Sequence, residues 1–437
     1  MELELGRSRS LYQNARRFIP GGVNTGRRRI DPTLSFKRGY GAYLEDMDGN
    51  RYLDYHAAYS AVILGHAFPA VDDKVIAALQ DGVLFGAGVT ELEVAIAQKI
   101  VQHVPSVDSV LLCNSGSEAT YHAVRLARAV TTRKLILKFQ GCYHGVHDSV
   151  LVNTFSRPEM IGKRDPGSAG MLNAAVDATL VCRFNDLHDV QRTVANYPDQ
   201  IAAIIIEPIA HNAPSILPQP GFLQGLRDIA DREGILLIFD EMITGFRHAI
   251  HGYQGICGVM PDLTALGKAI ANGYPLAAIG GRRDLMERFS TAGGDVFFAG
   301  TTNGNAVAAA AGLATLETLE SGGVYDHLFA LGQRMRDGLG EIANRLSAPA
   351  TVTGFGSIFS LIFMEGDLRS FDDVQRINPS VQRAYRQELL KHGVFELPDG
   401  VGRNNITLSH TEADVDETLE TAEDALQRTL ASVGAVR

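Results

Sequence analysis

Two chemically complementary side chains, Asp240 and Lys268, follow segments stiff enough to hold them. Ile235-Leu-Leu-Ile-Phe239 is an unbroken apolar run after Gly234, the pattern of a strand buried on both faces of a parallel sheet. Asp240 falls at its carboxyl end. Ligands collect at that edge of open α/β sheets, so the carboxylate can grip a cationic group. Lys268 lies in Thr264-Ala-Leu-Gly-Lys-Ala269, where small apolar neighbours partly desolvate the amine. Desolvation favours the neutral amine and hence Schiff-base formation with an aldehyde. Pyridoxal phosphate (PLP) needs both groups: a lysine for its aldehyde, and a carboxylate that keeps its ring nitrogen protonated so the ring can absorb electrons.

The elements that must position these residues are legible as a pattern. Between about residues 60 and 290 the strand-like runs Val110–Leu112, Leu135–Leu137, Ala203–Ile206 and Ile235–Phe239 alternate with amphipathic stretches. This is the signature of βα units in a parallel sheet covered by helices on both faces. Thr90 and Glu93 form a capping box ahead of the periodic Ile96, Ile100, Val101 and Val104, and a second helix runs from Phe222 to Glu233 and stops at Gly234. A long helix is expected from Asn305 to Leu319. From about Gly323 onward the pattern shifts to mixed strands and helices, expected to form a smaller α+β domain. The Pro- and Gly-rich stretch Thr154–Met171 reads as a long loop, a candidate lid.

Phe239-Asp-Glu-Met-Ile-Thr-Gly-Phe-Arg247 together with Leu266-Gly-Lys268 resembles the class III, fold-type I PLP-dependent aminotransferases. Within them the chain is most similar to glutamate-1-semialdehyde 2,1-aminomutase and its transaminase relatives. The likeness runs from Ile19 to Glu412 and is most specific at Asn114-Ser-Gly-Ser-Glu-Ala119, Gly141-Cys-Tyr-His-Gly145 and Gly300-Thr301. It implies a mostly parallel seven-stranded sheet with helices on both faces, plus a small α+β domain built from both termini. The expected boundaries are an N-terminal segment over 1–60 contributing to the small domain and dimer contacts, the large PLP-binding domain over 61–322, and the small domain over 323–437.

Asn114-Ser-Gly-Ser117 opens a helix expected near Glu118, and backbone amides at a helix start suit a phosphate. Alone it reads as a capped helix start; the resemblance assigns Ser115, Gly116 and Ser117 to the cofactor phosphate. The resemblance also implies that Tyr143, beside His144, stacks on the cofactor ring, with Met242 on the other face where valine is usual. Glu207 and Asn212 belong to the cofactor side of the site, and Thr301 reaches the phosphate of a neighbouring subunit, making a homodimer obligatory. For the substrate, Arg28 matches an arginine that holds a carboxylate in the aminomutases, with Thr25 beside it. Tyr59 replaces an expected tryptophan. The glutamate that aminomutases carry in the strand before Leu408 is missing, falling near Gly402, and Arg403 is new.

The formal net charge of −10 argues against general affinity for nucleic acid or an anionic membrane, and no apolar stretch approaches bilayer length. The start, Met1-Glu-Leu-Glu-Leu5, lacks leader character, so a cytoplasmic location is expected. Cys113, Cys142, Cys182 and Cys257 form no CxxC pair and are expected to be reduced thiols, and the histidine pairs lack the spacing of a metal site. The expected activity is transamination between an amino acid, possibly a β-amino or other unusual one, and a keto acid or aldehyde. Lys268, Asp240 and Tyr143 carry it. The alternatives are the aminomutase itself, another PLP reaction such as racemisation or decarboxylation, and a catalytically silent PLP-binding module.

Overall fold

A computed structural model describes residues 3–400 and 402–434. Its strands in chain order are β1 (Phe36–Tyr40), β2 (Tyr43–Asp46), β3 (Arg51–Asp54), β4 (Ser109–Cys113), β5 (Leu135–Phe139), β6 (Thr179–Cys182) and β7 (Ile201–Ile206). They continue with β8 (Leu236–Glu241), β9 (Leu263–Leu266), β10 (Ala277–Gly281), β11 (Thr351–Thr353), β12 (Ile358–Ile362), β13 (Val394–Phe395) and β14 (Asn404–Asn405). The described residues divide into two units: residues 3–68, 326–367, 376–400 and 402–434 form one, residues 69–325 and 368–375 the other.

The larger unit is built on a seven-stranded sheet of order β4-β10-β9-β8-β7-β5-β6. Strands β6, β5, β7, β8 and β9 pair in parallel, and β10 runs antiparallel to both β9 and β4. It follows that β4 points the same way as the five parallel strands. Every residue of β7 and β8 is buried, as the continuous apolar runs require. The helix Gly116–Thr131 packs its Ala123, Leu126 and Ala127 against Ile136, Ile205 and Ile238 of the sheet in one core cluster.

Local signals fixed the helices where they were expected. Thr90 and Glu93 close a capping box on the helix Glu91–His103, Gly234 ends the helix Phe222–Glu233 in the left-handed conformation, and Asn305 caps the helix Ala306–Glu320. The loop expected over Thr154–Met171 is irregular apart from one short 3-10 turn, Pro158–Met160.

The smaller unit carries two sheets of its own, β1-β2-β3-β13 and β11-β12-β14, with the helices Pro379–Lys391 and Glu412–Gly434. Among the described residues no helix is long and apolar enough to cross a membrane, and no group of His, Cys, Asp and Glu could hold a metal ion.

Candidate active site

Because β4, β5, β7, β8 and β9 all point one way, the residues that follow them meet at one edge of the sheet. These are Asn114–Ser117 after β4, Gly141–Gly145 after β5, Glu207 after β7, Asp240 at the end of β8 and Lys268 after β9. Asp240 lies opposite Ala265 in the β8–β9 register, three residues before Lys268. Strand β8 extends through Glu241, so Asp240 is held inside the ladder rather than just beyond it.

Asp240 is 2% exposed. His144 Nδ1 lies 2.7 Å from its Oδ2, and the Met242 amide donates to Oδ1 at 3.1 Å. Both oxygens are thereby oriented. Glu207, also buried, accepts from the Tyr143 amide at 2.7 Å and from Asn212 Nδ2 at 3.0 Å, and burial pushes its carboxyl pKa up. These bonds tie together the segments carrying Tyr143, His144, Asn212 and Glu207. The Tyr143 ring stacks on Phe155 at 5.7 Å.

The helix after β4 starts at Gly116, two residues earlier than its sequence suggests. The Ser115 hydroxyl accepts from the Glu118 amide at 3.3 Å and the Ser117 hydroxyl from the Val146 amide at 3.2 Å. First-turn amides of a helix lack intrahelical acceptors, so Gly116 and Ser117 supply donors at this edge. A Cβ at Gly116 would meet Met242 Sδ at 2.7 Å, and one at Gly267 would meet the same sulfur at 2.5 Å. Met242 therefore fills the space between the helix start and the lysine turn, in a cluster with Cys113, Ala119, Ala265 and Ala277. Lys268 opens a 3-10 turn, Lys268–Ala271, with its backbone in the left-handed region at φ +49°. A non-glycine residue held there costs about 1–3 kcal/mol, a strain concentrated at functional sites.

Thr301 belongs to the same unit as the sheet edge. It lines a cavity of about 400 Å³ with residues 83–88, Thr90 and Glu93, and its neighbour Asn303 accepts from Asn114 Nδ2 at 2.8 Å.

The remaining candidates belong to the smaller unit. Arg28 and Tyr59 line one cavity of about 400 Å³ there, together with Asp54, His56 and His66. Arg403 Nη2 donates to the Tyr59 carbonyl at 2.9 Å and its Nε to Ser60 Oγ at 2.6 Å. Thr25 stands apart from the lining; its carbonyl accepts the Arg28 amide at 2.9 Å. Tyr59 sits in a left-handed turn, Ala57–Ser60, with φ of +46°, +48°, +61° and +72°. Four such L-residues in sequence cost about 1–2 kcal/mol each. Bonds from both sides offset that strain: Asp54 Oδ1 accepts the His56 and Ala57 amides, Arg403 holds the Tyr59 carbonyl, and Asn405 Nδ2 holds that of His56.

Sequence reasoning missed Asp54, His56 and Lys138. Lys138 Nζ donates to the carbonyls of Cys142, Val150 and Val152 and to Thr154 Oγ1, gripping the loop that carries Tyr143 and His144. One signal was available: a lone charge inside the apolar run Leu135–Phe139.

Comparison with known proteins matches the aminotransferase class-III family model over residues 25–426. The glutamate-1-semialdehyde 2,1-aminomutase of Syntrophomonas wolfei is 42% identical over 428 residues, covering 97% of this chain and 98% of that protein. An ω-transaminase of Sphaerobacter thermophilus superposes with a TM-score of 0.91 at 35% identity, covering 97% of each chain. A β-phenylalanine aminotransferase of Variovorax paradoxus gives 0.88 at 30% identity, over 97% of this chain and 94% of that one.

Proposed function

We propose, because this chain belongs to the class-III aminotransferase family, that it moves an amino group between two small molecules, a carboxylate-bearing amino donor and a carbonyl acceptor. The cofactor is pyridoxal 5'-phosphate, which when bound supplies an electron-withdrawing ring beside the reacting carbon. The residues at the sheet edge fit that group. They provide an amine, a buried and doubly oriented carboxylate, first-turn helix amides for a phosphate, and a floor on Met242 that a Cβ at Gly116 or Gly267 would obstruct.

In this reading Lys268 anchors the cofactor through its amine and, once displaced by the donor, moves a proton at the donor's reacting carbon. Asp240 keeps the ring nitrogen protonated, and His144, bonded to its Oδ2, orients it. Tyr143 and Met242 take the two ring faces. Gly116 and Ser117 give amides to the phosphate, with Ser115 fixing the turn through its cap. Glu207 and Asn212 support the Tyr143 segment. Arg28 reads the donor carboxylate, and Arg403 holds the turn that presents Tyr59.

We place Thr301 in the site of a second copy, forming a homodimer. Val83, Leu84, Phe85 and Val89, exposed by between 45% and 72%, line or flank its cavity, and Phe297 is 75% exposed. Such an apolar patch marks an interface.

The observation that carries transfer between two molecules is Arg403: clamped onto the Tyr59 turn, it follows Gly402, which stands near the place of the aminomutase glutamate. A second reading, the aminomutase itself, is favoured by the 42% identity to the Syntrophomonas wolfei enzyme, against 35% for the ω-transaminase. The test is holoenzyme, sedimenting as a dimer, given amino donors plus pyruvate in one arm and glutamate-1-semialdehyde in the other. Donor-dependent alanine formation supports the first reading. Formation of 5-aminolevulinate without alanine would establish the second, and neither product would sink both.

A further inference from the structure

The cavity of the smaller unit combines one cationic rim with an apolar wall. Ile30, Leu34, Leu44, Phe395 and Leu397 contribute the wall, and Ile30, Leu34 and Leu44 pack against the buried cluster of Tyr52, Leu390 and Phe395. Its shape is therefore set by core packing. At about 400 Å³ it falls within the roughly 300–1,000 Å³ typical of small-molecule sites.

Two polar atoms at this cavity are buried without a hydrogen-bond partner among the described residues, Tyr59 Oη and His56 Nε2. Their rings meet edge to face at 4.2 Å. Buried polar atoms in native proteins are almost always satisfied, so an unpartnered pair on a cavity wall calls for a ligand. Charge decides which kind. Of the lining side chains Arg28 brings the cation and Asp54 the carboxylate, and Asp54 is already committed: Oδ1 accepts the His56 and Ala57 amides, and Oδ2 lies 2.7 Å from His66 Nε2. Arg27, Arg28 and Arg403 all pull the Tyr59 phenol toward ionisation, against a larger burial effect that keeps it protonated and a donor. The field on the Tyr59 hydroxyl is thus positive, and the group itself can donate.

We infer that this cavity binds the donor as an amphipathic carboxylate, its carboxylate on Arg28 and the Tyr59 hydroxyl and an aromatic or branched aliphatic side chain against the Leu34, Leu44 and Leu397 wall. The inference rests on the amino-transfer reading for calling the ligand a donor. A second carboxylate would find no second cation in the lining, since burial lowers the His56 pKa to about 4 and His66 is taken up by Asp54, which disfavours dicarboxylate donors.

The test is calorimetric titration of the holoenzyme with 3-phenylpropionate, which has no amino group to transfer, and with glutarate, which has two carboxylates and no apolar group. 3-Phenylpropionate is expected to bind more tightly than glutarate. Arg28→Gln is expected to weaken it by about tenfold or more, with Arg28→Lys in between. Equal or tighter binding of glutarate would overturn the inference, as would an Arg28→Gln affinity within about twofold of the parent. The glutarate comparison uses the unmutated chain and stands whatever the variants do. If 3-phenylpropionate binds through Arg28 while no donor yields alanine, the amino-transfer reading fails and the binding site stands. If polar donors yield alanine while 3-phenylpropionate does not bind, the reverse holds.

Discussion

Lys138 shows how much of this site is decided by a single buried group. Its ammonium is enclosed in the sheet, and burial pulls its pKa down to about 8. It is retained because three carbonyls and a hydroxyl of residues 142–154 converge on it. That segment includes Tyr143 and His144, so Lys138 acts on the candidate site as a positioning residue, without touching Asp240 itself. Lys138→Met keeps the volume and strands those acceptors in a dry interior. Thermal or denaturant unfolding is expected to show a loss of about 2–4 kcal/mol, with weaker cofactor retention. An unchanged midpoint would show that the loop holds its shape without the ammonium. Asp240 and Lys268 were legible in the sequence because strand ends and small-residue turns are local signals. Lys138 was legible only as a lone charge in an apolar run; its role was not, because its partners lie up to 16 residues away in an irregular loop.

At the scale of elements, the divide is between local and imposed conformation. The capping box at Thr90 and the glycine stop at Gly234 are written in adjacent residues, and both helices formed accordingly. Strand direction is not written locally. The antiparallel course of β10 follows from its place between β4 and β9, and nothing in Ala277–Gly281 announces it. The left-handed turn Ala57–Ser60 is a stronger case, since alanine, tyrosine and serine have no preference for that region. Asp54, Arg403 and Asn405 impose it from distant parts of the chain.

His410, in the same unit, gives this level a pH test. Its Nδ1 accepts the Thr407 amide at 3.1 Å, its ring stacks on Tyr55 at 4.7 Å, and burial lowers its pKa to about 4 from 6.5. Between those values the unfolded chain binds one more proton than the folded one, so this group's contribution falls as pH falls. Relative to His410→Gln, the parent is expected to lose up to about 1.4 kcal/mol per pH unit from pH 6.5 toward 4. A pH-independent difference between the two would mean that the imidazole titrates normally in the fold.

For the whole molecule, five co-directional strands bring Asn114–Ser117, Gly141–Gly145, Glu207, Asp240 and Lys268 to one edge, although they span about 150 residues of sequence. The alternation of apolar runs made that sheet legible. The cavity of the smaller unit was not, because residues as far apart as Val23, Tyr59 and Leu397 line it and no periodicity connects them. The central claim is that Lys268 is the amine that holds the cofactor. Borohydride reduction of the PLP-loaded chain followed by peptide mass spectrometry tests it directly. The account predicts one pyridoxyl-phosphate adduct per chain, on the peptide containing Lys268. An adduct confined to another lysine, Lys138 included, or no adduct at all, would contradict it.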